Sequence, residues 1–173
     1  MTNVIGSSHP FFAILQCMKN AAKILAFTLL TVVPVLAQTK IAKQMEKREF
    51  SPWKWQDERS YVQAVEVKNV QGTLYVSGQA AVHADGTSSN ANMKSQLEEA
   101  IANLEKVISH AGYEPKNIVR LSIYTTSTEE LWPHFPIFQD WIAKHGIKQA
   151  TTLFEVKTLF ETLKVELEAT VVK

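Results

Sequence analysis

The chain has 173 residues, 46% of them apolar and 20% charged, which suits one domain with a true core plus a short extension. A formal net charge of +1 gives no electrostatic basis for binding nucleic acid. The single cysteine, Cys17, excludes an intramolecular disulfide, and it leaves the folded part without a cysteine-based metal site.

Met18 to Lys23 form a short basic lead, followed by an apolar run from Ile24 to Ala37 that ends Val35-Leu36-Ala37. The run is short for a bilayer span and carries small residues where a signal peptidase reads. A signal peptide over 18–37, cut after Ala37, is therefore expected, with an uncleaved anchor as the alternative. Residues 1–17 then form an upstream extension. The product is expected in the periplasm or outside the cell, with no stable membrane insertion after cleavage. Loss of residues 1–37 removes two lysines and no acids, leaving a charge of −1.

Residues 38–59 read as a polar linker, Gln38 to Glu49, and an aromatic segment, Phe50-Ser51-Pro52-Trp53-Lys54-Trp55. Pro52 favours an extended path there. The segment either lies across the domain's own apolar surface or forms an exposed aromatic lip on a pocket.

The folded domain is expected over 60–173. Tyr61 to Lys68 alternates as a strand, and Asn69-Val70-Gln71-Gly72 turns into a second strand, Gly72 to Gln79. That strand reads as central, ending at Ser77-Gly78, where backbone can approach a ligand. Ala80 to Asn92 is a loop. Leu97, Ile101, Leu104, Ile108 and Ala111 then recur at helical spacing. Two caps compete for the start of this helix, Ser95 with Glu98 as a capping box or Asn92 one turn earlier. Gly112 and Pro115 end it. Ile118 to Thr125 is a third strand. Ser127 with Glu130 opens a tight turn through Pro133, and a second helix follows from about Phe135 to His145, with Gly146 as its stop. Ala150 to Val156 and Leu163 to Val172 complete the sheet. The expected class is α+β, β-β-α-β-α-β-β, with both helices on one face.

Side-chain parity puts Tyr75, Ser77, Gln79, Arg120, Ser122, Glu166 and Glu168 on the face away from the helices. A solvated face with an Arg120–glutamate surface pair is the plain reading. Tyr75, Leu153 and Val172, read on the same face, point to a symmetric partner instead. His83, His110, His134 and His145 lack metal-ligand spacing and read as structural or solvated.

The run Tyr61-Val62-Gln63, then Leu74-Tyr75-Val76-Ser77-Gly78-Gln79, a helix ending Ala111-Gly112, and Val165-Glu166-Leu167-Glu168-Ala169 resembles the Rid (YjgF) family over about residues 60–173. The resemblance implies a chorismate-mutase-like fold assembled as a homotrimer, with pockets between subunits. It also implies cofactor-free hydrolysis of reactive imines and enamines derived from amino acids. By the same resemblance Tyr61, Ser77 and Gly78 are pocket residues, and Glu166 holds the attacking water. The family's carboxylate-binding arginine is replaced by Thr151 in the stretch Gln149-Ala150-Thr151-Thr152, its helix asparagine by Phe135, and a pocket cysteine by Leu153.

Threonine has no bidentate fork for a carboxylate. No neighbour of Thr151 in the sequence replaces one, so the expected substrate is a reactive imine or enamine without a carboxylate. Residue 151 is expected on the Glu166 face. The alternative is a trimeric protein that binds a small apolar ligand without chemistry. A ribonuclease role is disfavoured by near-neutral charge and export.

Overall fold

A computed structural model describes residues 43–173. The upstream extension and the signal peptide with its cleavage point lie outside the described residues. Among those described, no helix is long and apolar enough to cross a membrane.

The chain forms β1 (Glu46–Phe50), β2 (Ala64–Lys68), β3 (Thr73–Ala80), α1 (Met93–His110), β4 (Ile118–Thr125), the single turn α2 (Thr128–Leu131), α3 (Phe135–His145), β5 (Ala150–Glu155) and β6 (Val165–Val172). Four strands make the main sheet in the order β3-β6-β4-β5. β6 runs antiparallel to both β3 and β4, while β5 runs parallel to β4. The β4–β5 connection is therefore a crossover, filled by α2 and α3, as parallel neighbours require. The fold is α+β with two principal helices on one face. Leu97, Leu104 and Ile108 of α1 and Phe138, Trp141 and Ile142 of α3 share one buried cluster with Leu121, Ile123, Leu167 and Val171 of the sheet. Truncating a fully buried member such as Leu104 would cost about 2–5 kcal/mol.

Local chemistry sets the helix limits. The Asn92 side chain accepts from the Ser95 amide at 3.0 Å, so the earlier cap starts α1. Ser127 caps α2, accepting from the Glu130 amide at 3.1 Å. α3 spans the expected residues and stops at Gly146, whose φ of 61° suits a residue without Cβ. The loop before α1 is tied down by buried Gln96. Its amide donates to the carbonyls of Ser89, Ala91 and Thr162 and accepts from the Lys164 amide at 2.8 Å.

Several sequence expectations are corrected. Part of the expected linker is strand β1, paired antiparallel with β2 in a separate two-stranded sheet. Its sequence, EKREF, shows no apolar alternation. Backbone pairing and the Arg48–Glu66 and Lys68–Glu66 contacts, 3.4 and 3.3 Å, support it instead. The Tyr61–Lys68 strand is shortened to β2, and Val62 makes only an isolated bridge to Ala150. β3 is an edge strand, not a central one; β6 and β4 take the middle. On the open face Arg120 donates to Thr152 Oγ1 at 2.8 Å rather than pairing with a glutamate, and the Tyr124 hydroxyl donates to Glu168 at 2.9 Å.

Candidate functional site

The seven residues singled out in the sequence fall into two groups on opposite faces of the sheet. The first is built by a bulge in β3. Val76 pairs with Ala169 and Gln79 with Leu167, so Ser77 and Gly78 together oppose one residue of β6. The extra residue flips parity beyond it. Gln79 therefore lies opposite the core residue Leu167 and leaves the face it was expected to share with Ser77. Glu166 lies opposite Ala80, and its carboxylate folds back over the bulge. A Cβ built on Gly78 would overlap that carboxylate. Position 78 accommodates only glycine while Glu166 keeps this pose. Ser77 and Gly78 are exposed and Glu166 is half-buried.

The second group lines a cavity of about 210 Å³ at the β5 edge, on the helix side of the sheet. Tyr61, Phe135, Thr151 and Leu153 line it together with Ile123. Arg59 and Trp132, both exposed, complete the wall. Thr151 pairs with Leu121 and Leu153 with Ile123, both core residues of β4. This corrects two expectations, since Leu153 and Thr151 both face away from Glu166's side. The reason is legible in β5 itself. Its sequence, ATTLFE, puts Leu153 beside Phe154 and gives no alternation, and it is Phe154 that faces the open side, stacked on Tyr124 at 5.7 Å. Within one chain, Glu166 and the cavity residues are separated by the sheet.

Two residues that line this cavity, Arg59 and Trp132, went unmarked in the sequence. Arg59 ends a one-turn helix, Asp57–Arg59, and Ser60 follows with φ 58°. A left-handed serine is uncommon, and here hydrogen bonds hold the turn from both sides. The Gln139 amide donates to the Glu58 carbonyl at 2.7 Å. The fully buried Gln149 amide donates to the Ser60 carbonyl at 3.0 Å and to Thr151 Oγ1 at 3.1 Å. Arg59 and Tyr61 are thus delivered to the same cavity from either side of Ser60. Arg59 joins the lining of this pocket from a part of the chain distant in sequence from position 151, with its guanidinium carbon over the Trp55 ring. The only sequence signal for Arg59 is its closeness to Tyr61.

The aromatic segment is exposed, with Trp53 57% and Trp55 51% accessible, so it is not buried across the domain's own apolar surface. Trp55 meets Tyr61 edge-on, with ring centroids 6.3 Å apart. Trp132 stacks on Phe135 at 4.8 Å. His83 and His145 pair with Glu99 and Glu105 at 2.7 Å, as structural histidines do. Among the described residues, no group of three side chains could hold a metal ion. Glu155, at the end of β5, accepts from the Thr128 hydroxyl and amide at 2.5 and 2.7 Å, and those bonds lower its carboxyl below the usual glutamate value.

Comparison with known proteins gives one consistent answer. The model of the family described as Endoribonuclease L-PSP matches residues 54–173. A RutC family protein from Aquifex aeolicus (strain VF5) is 30% identical over 113 residues, covering 65% of this chain and 88% of that protein. Among solved structures, the Rid family protein YyfB from Yersinia pestis superposes with a TM-score of 0.65 at 26% identity, covering 73% of this chain and 98% of that one. The YjgF gene product of E. coli superposes at 0.54 with 23% identity, over 65% and 87% of the two chains, a likeness of fold.

Proposed function

The chain belongs to the endoribonuclease L-PSP family, the family of the Rid (YjgF) proteins, and from that premise we propose that it hydrolyses a reactive imine or enamine in a pocket shared between copies of the chain. The observation that carries this reading is the Gly78–Glu166 arrangement. A carboxylate lies over exposed strand backbone whose missing side chain leaves it room. Glu166 takes a proton from water as the oxygen attacks the imine carbon, and passes it to the nitrogen, which becomes the amine of a carbinolamine. The resulting carbinolamine collapses, the nitrogen leaves as ammonia, and the carbonyl product carries the water oxygen. One water is consumed and nothing is oxidised. An enamine enters the same path after tautomerising.

The separation of the two groups supports a multimeric site. A second copy would bring its aromatic cavity to the Glu166 face of the first, and a trimer closes such a head-to-tail contact. Tyr75, 80% exposed, and Phe154, 46% exposed, leave aromatic surface on that face, consistent with coverage by a partner. Export to the periplasm or beyond, after removal of residues 1–37, belongs to the same proposal. Light scattering should give a trimer mass at micromolar concentration, and a stable monomer would contradict it.

One observation favours a second reading, ligand binding without chemistry. The cavity wall contains no carboxylate or histidine. The two readings separate in one assay. Imines are generated in the cuvette without added metal or cofactor, and ammonia release is followed with wild type and Glu166→Gln. Hydrolysis above the spontaneous rate, lost in the variant by about 10²-fold, supports the enzyme. No acceleration by wild type would leave the binding protein.

A further inference from the structure

We propose that Arg59 is the anion-recognising residue of the aromatic cavity, and that the ligand is a flat aromatic or conjugated small molecule bearing one carboxylate. This rests on the proposal above only in taking the cavity as the ligand site. It overturns the substrate expectation drawn from Thr151, because the guanidinium comes from a different element.

Arg59 is the one charged side chain lining the cavity, and the rest of the wall is aromatic, aliphatic or hydroxyl-bearing. Its guanidinium carbon lies 5.4 Å from the Trp55 ring centroid. Among the described residues, it forms none of the ion pairs found in the domain. Stacking on an indole face leaves the in-plane N–H donors open for a bidentate carboxylate.

The backbone that carries Arg59 is also held in advance. Gln139 and Gln149 clamp the carbonyls on both sides of it, and Ser60 holds a left-handed turn. A left-handed residue and two side-chain hydrogen bonds concentrated in one short turn suit a backbone that must be held in place. The rings of Tyr61, Phe135 and Trp132 supply flat walls. At about 210 Å³ the space is below the roughly 300–1,000 Å³ usual for drug-sized ligands, which suits a molecule with one ring.

The test uses the full chain and stable, imine-free probes, read by tryptophan fluorescence, since Trp132 lines the cavity and Trp55 lies beside Arg59. Phenylpyruvate carries both ring and carboxylate, phenylacetone lacks the charge, and pyruvate lacks the ring. Wild type should bind phenylpyruvate about tenfold or more tighter than either control, and less tightly as salt rises. Arg59→Gln should abolish the preference over phenylacetone while leaving phenylacetone affinity unchanged, and Arg59→Lys should restore part of it. Equal affinity of wild type for the charged and neutral probes, or a preference that survives Arg59→Gln, would overturn the proposal. Glu166-dependent imine hydrolysis without anion preference would overturn Arg59 alone. Anion preference without hydrolysis would support Arg59 and count only against the catalytic reading.

Discussion

The two faces of the sheet solve different problems with different materials. On the open face, a bulge and a missing side chain let a carboxylate lie over backbone, so the proposed chemistry depends on what is absent at Gly78. On the helix face, rings and aliphatic side chains line a cavity to which a hydrogen-bonded turn adds Arg59. The first region carries a carboxylate but none of the aromatic walls of the cavity. The second can hold a ligand but has no general base. Neither is a complete site in one chain, and that division is the strongest argument for a site completed by a second copy.

The largest expected effect comes from breaking the open face alone. Gly78→Val should displace the Glu166 carboxylate and lower imine hydrolysis by about 10²-fold, while phenylpyruvate binding in the cavity stays within a factor of about two. A parallel loss of both would show that the two regions are not independent. On the helix face, Gln149→Leu leaves the Ser60 carbonyl and Thr151 hydroxyl without their donor. It should lower stability by about 1–3 kcal/mol in urea unfolding and weaken phenylpyruvate binding without changing phenylacetone binding. Unchanged anion preference would mean that the clamp does not position Arg59.

The smallest effect concerns the seam between β5 and α2. Glu155 has its carboxyl lowered by the Thr128 hydroxyl and amide, so its contribution is present above the ordinary glutamate value and disappears as pH falls through the lowered folded value. Wild type should therefore melt slightly higher than Glu155→Gln at neutral pH, with the gap closing as pH falls through the lowered carboxyl value. A gap that widens in acid would reverse the assignment.

The sequence revealed elements wherever one periodicity dominated. Leu97, Ile101, Leu104 and Ile108 marked α1, and the Val165–Val172 alternation marked β6, because each buries a single face. β1 escaped notice since EKREF is held by backbone pairing and surface charge, which leave no apolar period. Parity reasoning failed at two definable places. The bulge at Ser77-Gly78 inserts a residue and moves Gln79 across the sheet. In β5 the neighbours Leu153 and Phe154 are both apolar, so alternation cannot say which one faces the core. Site residues were legible as identities through resemblance, yet their division between two faces required strand register. Arg59 was hidden because it enters the cavity from a turn whose left-handed serine has no sequence signature.

Complementation between two damaged copies tests the shared site most directly. Glu166→Gln keeps the cavity and loses the carboxylate, whereas Thr151→Trp keeps the carboxylate and fills the cavity with an indole. The two proteins are unfolded together and refolded at equal concentration, and imine hydrolysis is compared with each variant refolded alone. If each site draws Glu166 from one copy and the cavity from its neighbour, every mixed trimer regains one intact site of its three. Random mixing should then recover about a quarter of wild-type activity. Mixed trimers confirmed by mass, with activity no higher than that of the separate variants, would contradict the shared site.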